Sequence, residues 1–112
     1  MNTVAPTQWI DAGIDDVDEG TVKGVKLGDE HVALYRVRGT VYATSNICTH
    51  ESALLSEGWV EDGEVECPLH GARFRIEDGE CLGPYGTDLR CFRARSRRGR
   101  IEVALSDRED AS

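Results

Sequence analysis

The stretch NICTHESALLSEGWVEDGEVECPLHGARF, residues 46–74, carries two short boxes, Cys48-Thr49-His50 and Cys67-Pro68-Leu69-His70-Gly71, with sixteen residues between them. Each box sets a thiol and an imidazole two or three positions apart, so one loop offers a sulfur and a nitrogen to neighbouring metal atoms. Two such loops supply two sulfur and two nitrogen donors. The chain has only three histidines, and two of them repeat this placement beside a cysteine. The third, His31, falls in a strand-like segment, where a structural role is expected.

Three readings of the boxes compete. They are two buried cysteines with incidental histidines, a tetrahedral Cys2His2 zinc site, and a [2Fe–2S] centre in which two cysteines hold one iron and two histidines the other. The repeated pattern argues against the first. Spacing favours iron–sulfur over zinc: a zinc finger pairs Cys with Cys and His with His, and C-x-H is tight for one. A cluster with unlike ends suits loops that both reach across it, each giving sulfur to the inner iron and nitrogen to the outer. A zinc-stabilised interaction module without a redox role stays open as the alternative.

Outward from the boxes, short alternating segments dominate. His31 to Arg38 reads as a strand with Val32 and Leu34 on one side and Ala33, Tyr35 and Val37 on the other. Gly39-Thr40 turns it into Val41-Tyr42-Ala43, and Val22 to Leu27 is a further strand ended by Gly28-Asp29. Glu64 to Cys67 and Arg73 to Ile76 are short strands, and Phe92 to Ser96 with Ile101 to Leu105 form a final hairpin around Arg98-Gly99. No window carries a 3.6-residue apolar period long enough for a substantial helix. The expected class is all-β, a small antiparallel sandwich or barrel with the loops at about 45–86 inserted into it.

The chain has 112 residues, 39% hydrophobic and 30% charged, which fits one globular domain spanning 1–112, with a polar tail at 106–112 expected to fray. No apolar run approaches the roughly 20 residues that span a bilayer. The first ten residues lack the basic start and apolar stretch of an export signal, so a cytoplasmic protein is expected. Its four cysteines then read as reduced thiols or metal ligands, Cys81 and Cys91 as structural thiols. A net charge of −8 argues against nucleic acid or an anionic membrane as partner.

That charge is uneven: −3 over residues 1–50, −7 over 51–80 and +2 over 81–112. The acids Glu51, Glu57, Glu61, Asp62, Glu64 and Glu66 surround both boxes and form a candidate steering face for a partner. Asp15 to Gly20 imitates a calcium loop but places Gly20 at a ligand position with no Glu at the right distance, so a solvated acidic turn is expected. Arg93, Arg95 and Arg97 alternate along one strand, as edge-protecting or partner-contacting charges do.

The two boxes resemble those of Rieske iron–sulfur proteins. The wider match, through Trp9-Ile10, Ala33-Leu34-Tyr35, Val41-Tyr42-Ala43-Thr44 and Arg73-Phe74, is similar to the small Rieske ferredoxins of bacterial aromatic-ring-hydroxylating dioxygenases. The resemblance implies one [2Fe–2S] cluster with Cys48 and Cys67 on the buried iron and His50 and His70 on the outer one. It also implies a third loop at Gly83-Pro84 packing over the cluster, with Tyr85 where many relatives carry a second proline. The implied partners are an NADH-dependent flavoprotein reductase as donor and a terminal Rieske non-haem iron oxygenase as acceptor, with no direct small-molecule substrate. No enzymatic role is expected, because four protein ligands and bridging sulfides leave neither iron an open position.

Respiratory Rieske proteins carry a further cysteine in each box, joined in a disulfide; the matching positions here are Ala53 and Leu69. Those proteins also place a Ser and a Tyr as hydrogen-bond donors to the cluster sulfurs, where this chain has Ala72 and Phe74. Donors stabilise the more negative, reduced state, so their loss implies a midpoint potential near the low end of the Rieske range, roughly −150 mV.

Overall fold

The computed structural model describes residues 7–49, 52–69, 71–84 and 86–105. The first four strands among these are β1 (Ile10–Ile14), β2 (Val22–Leu27), β3 (Glu30–Val37) and β4 (Thr40–Ser45). Four short ones follow, β5 (Trp59–Glu61), β6 (Glu64–Glu66), β7 (Arg73–Arg75) and β8 (Cys81–Gly83), and β9 (Cys91–Arg97) and β10 (Arg100–Ala104) close the order. All pairings between these strands are antiparallel, in a six-stranded sheet ordered β1-β10-β9-β4-β3-β2 and a four-stranded sheet ordered β5-β6-β7-β8. The expected all-β class is what forms. No helix among the described residues is long and apolar enough to cross a membrane.

β3 explains the architecture. Val32 and Leu34 enter one apolar cluster, whereas Ala33, Tyr35 and Val37 enter another, so its alternation is buried on both faces. The first cluster takes Ala12 from β1, Leu27 from β2, Val41 and Ala43 from β4, Phe92 from β9 and Ile101 and Val103 from β10. Every strand of the large sheet thus points into one interior, and the sheet curls into a nearly closed barrel. The second cluster lies outside the barrel, where Val65 and Phe74 of the small sheet pack with Ala33, Tyr35 and Val37. The small sheet is inserted between β4 and β9, neighbours in the barrel, and lies within the insertion expected at 45–86.

Two-residue turns set the register. At Arg38-Gly39, Asp62-Gly63 and Arg98-Gly99 both residues have positive φ, the type I′ geometry that matches strand twist. The β3–β4 turn therefore falls one residue before the expected Gly39-Thr40. β1, β5 and β8 were not expected; they are three to five residues long and carry exposed positions that blur an alternation.

The acidic segment after β1 keeps Asp16, Asp18 and Glu19 exposed, as a solvated turn does, but it is also tied to the barrel. The Asp15 carboxylate accepts from the Arg36 guanidinium of β3 and the Ser96 hydroxyl of β9, and Asp16 pairs with Lys23 at 2.8 Å. Glu19 accepts the backbone N–H groups of Arg38 and Gly39, satisfying donors that the tight turn leaves outside the ladder. The acids strap the end of the barrel. The arginines lie where β9 is paired with β10 alone, since its pairing with β4 is confined to Phe92 and Cys91. There Arg95 donates across to Glu102 of β10 at 2.6 Å, and the Arg93 and Arg95 guanidiniums lie over the Trp9 ring at 5.3 and 4.1 Å.

The Ser96 hydroxyl and then the Arg36 guanidinium hold the Asp15 carboxyl below the usual carboxylate range. A lowered folded pKa gives stability that is present above the unfolded value, 3.8, and lost as pH falls through the folded one. Asp15→Asn should cost about 1–2 kcal/mol at pH 7, read by urea unfolding, and should reduce the loss of stability in acid. An unchanged acid limb would contradict the strap.

Candidate metal centre

The two boxes are built alike. The Cys48 N–H donates to the Ala53 carbonyl at 2.9 Å, and the Cys67 N–H donates to the Ala72 carbonyl at 2.8 Å. In both, the cysteine opens a loop that is tied shut five residues later by its own amide. Gly71, with φ of 72°, provides the left-handed step that returns the second loop to β7.

Box 1 is anchored from below by Asn46, 3% exposed. Its Oδ1 accepts the Ser56 N–H at 2.8 Å and its Nδ2 donates to the Ser56 hydroxyl at 2.9 Å. Its backbone N–H donates to the His31 carbonyl, and its carbonyl accepts the Leu55 N–H, both at 2.8 Å. Gly24 of β2 lets this cluster approach, since a Cβ there would stand 2.7 Å from the Ser56 hydroxyl and 2.9 Å from Asn46 Nδ2. The loop that contains Gly83-Pro84 also reaches box 1. The Thr49 hydroxyl donates to the Thr87 carbonyl at 2.6 Å and accepts the Thr87 N–H at 2.9 Å.

Cys48 and Cys67 are 3% and 0% exposed and share one apolar cluster with Tyr35, Leu55, Ala72 and Phe74. None of the four cysteines is in a disulfide. Burial also pushes the Tyr35 phenol well above its ordinary pKa, and its hydroxyl pairs with Thr44 at 2.8 Å, so this floor is neutral. Two buried thiols opening twin loops therefore fit a sulfur-anchored metal group. His50, His70, Glu51 and Tyr85, like the tail at 106–112, lie outside the described residues.

The chain matches the family model for the Rieske [2Fe-2S] domain over residues 8–93. It belongs to the Rieske family. It is 43% identical to the ferredoxin component of the naphthalene 1,2-dioxygenase/salicylate 5-hydroxylase systems of Ralstonia sp., across 87% of this chain and 95% of that protein. The naphthalene 1,2-dioxygenase ferredoxin of Pseudomonas putida is 40% identical, over 88% and 97%. Among solved structures, a complex of reduced oxygenase and oxidized ferredoxin in carbazole 1,9a-dioxygenase matches with TM-score 0.79 at 34% identity, covering 86% of this chain and 92% of that one. This Rieske ferredoxin is an electron carrier and not an enzyme, its cofactor is a Rieske-type [2Fe–2S] cluster, and the zinc module is not favoured.

Of the residues named from sequence, Cys48 and Cys67 come together in one buried cluster and the loop after Gly83-Pro84 reaches box 1, whereas Asn46 and the Thr49–Thr87 pair were not singled out and Ser56 was given no role. A polar residue closing a strand two positions before a cysteine box was the available signal for Asn46. Of the candidate steering acids, Glu64 and Glu66 are paired with Arg73, at 2.9 and 3.2 Å, while Glu57, Glu61 and Asp62 are exposed.

Ala72 and Phe74 are both fully buried beside the Cys67 loop and bring no hydroxyl there. The midpoint potential should fall at the low end of the Rieske range, and Ala72→Ser should raise it, as read by spectroelectrochemical titration. A midpoint well above zero in the wild type, or no rise in the variant, would contradict the missing-donor account.

Proposed function

We propose that this Rieske ferredoxin carries single electrons to the terminal oxygenase of an aromatic-ring dioxygenase system, in the cytoplasm, and receives them from an NADH-dependent flavoprotein reductase. The single observation that carries the reading is the pair of buried thiols at the mouths of two equally tied loops, in a chain that matches dioxygenase ferredoxins along most of its length. Cys48 and Cys67 are assigned to the inner iron, and His50 and His70 to the outer one. The whole chain, 1–112, is read as one domain. When bound, such a cluster takes up and releases one electron at a time without making or breaking substrate bonds. The protein's own part is to bury the sulfur side, to hold both loops still and to keep the floor beneath them uncharged.

The test is direct. Purified protein should be brown, contain equal iron and acid-labile sulfide, and bleach reversibly with dithionite. Cys67→Ala and His70→Ala should each lose that cluster, whereas Cys91→Ala should keep it. Colourless, zinc-containing protein would overturn the assignment.

A further inference from the structure

The register of the small sheet sorts its side chains cleanly. Val60, Val65 and Phe74 lie in one cross-strand row and face the apolar cluster beneath. The rows on either side run Trp59–Glu66–Arg73 and Glu61–Glu64–Arg75, and by the two-residue pleat they share the opposite, outer face. That face is acidic toward its β5 edge, and one large aromatic stands in it: Trp59, 61% exposed. Nothing in barrel or sheet packing requires an indole there.

Its base is rigid. A Cβ at Gly58 would stand 2.0 Å from the Glu66 carbonyl and 3.2 Å from Pro68 Cδ, so the backbone before Trp59 is pressed against the start of box 2. Trp59 therefore leaves the surface beside Cys67-Pro68-Leu69, where Leu69 is itself 47% exposed. A preorganised, exposed aromatic with an apolar neighbour and a charged rim has the composition of a contact hot spot. The charges at that rim are mainly acidic, Glu57, Glu61 and Glu66 against Arg73, which pairs with Glu66 at 3.2 Å, and they lie within residues 51–80, the most acidic stretch of the chain.

We infer that Trp59 is the anchor of a transient docking face, rimmed by Glu57, Glu61 and Glu66, that fits a redox protein presenting cationic side chains around an apolar recess. This rests on the electron-carrier reading and adds to it the residue that positions the partner. Attraction between the rims brings the two proteins together and the indole fixes the orientation, with box 2 next to the contact.

The probe is oxidised cytochrome c, a strongly basic haem protein, mixed in a stopped-flow instrument with the dithionite-reduced holoprotein after excess reductant is removed. Trp59→Ala should lower the second-order rate constant about tenfold with the midpoint potential unchanged, and Trp59→Phe should stay within about threefold of wild type. Glu61→Gln should weaken the decline of the rate with added salt. A Trp59→Ala rate within about twofold of wild type, or a fall that tracks a shifted midpoint, overturns the anchor while leaving the carrier reading intact. A wild-type protein that cannot reduce cytochrome c overturns both.

Discussion

Two amide groups, those of Cys48 and Cys67, each close a loop on a carbonyl five residues ahead, and the site depends on what keeps those loops in place. Their common floor is the outer face of β3, through Ala33, Tyr35 and Val37. The inner face of the same strand is locked into the barrel by Val32 and Leu34. A shift of β3 would open voids on both sides at once, and protein interiors resist even methylene-sized gaps. The barrel thus acts on the cluster loops through a strand with no solvent-facing side along most of its length. Asn46 adds a polar tie on the same principle: all four of its backbone and amide hydrogen-bonding groups are used at one buried point.

Much of this was legible because the signals are local. The boxes announce donors by spacing, β2 begins and ends at Val22 and Leu27 as its pattern dictates, and β3 shows its period in eight residues. The failures have a shared physical cause. Asp15 and Glu19 look like solvated acids until the chain brings Arg36, Ser96 and the Arg38-Gly39 turn to them, from partners 19 to 81 residues away. The β9 arginines read only as edge charges because sequence does not show that Glu102 stands across from Arg95 or that the Trp9 ring lies under Arg93 and Arg95. β5 and β8 are three residues each with no fully buried position, unlike the equally short β6 and β7, which bury Val65 and Phe74. The identical ties of the two boxes were invisible for a different reason, since they use backbone atoms that every residue has.

The position of the insertion bears on its work. It leaves the barrel at the end of β4 and returns at the start of β9, strands already hydrogen-bonded to each other at Ala43–Phe92 and Thr44–Cys91, with the Ser45 N–H donating to the Arg90 carbonyl at 2.8 Å. Entry and exit are therefore joined by a closed neck, and the barrel is complete without the segment it carries. An enzyme lid gains from a hinge because substrate must enter and product must leave. A carrier exchanges no such molecules. Only an electron crosses its surface, and every motion of the site adds to what must be reorganised for each transfer. A two-strand neck, twin tied loops and a doubly packed strand beneath them restrict such motion, while the mobile step, meeting and leaving a partner, is left to the outer face.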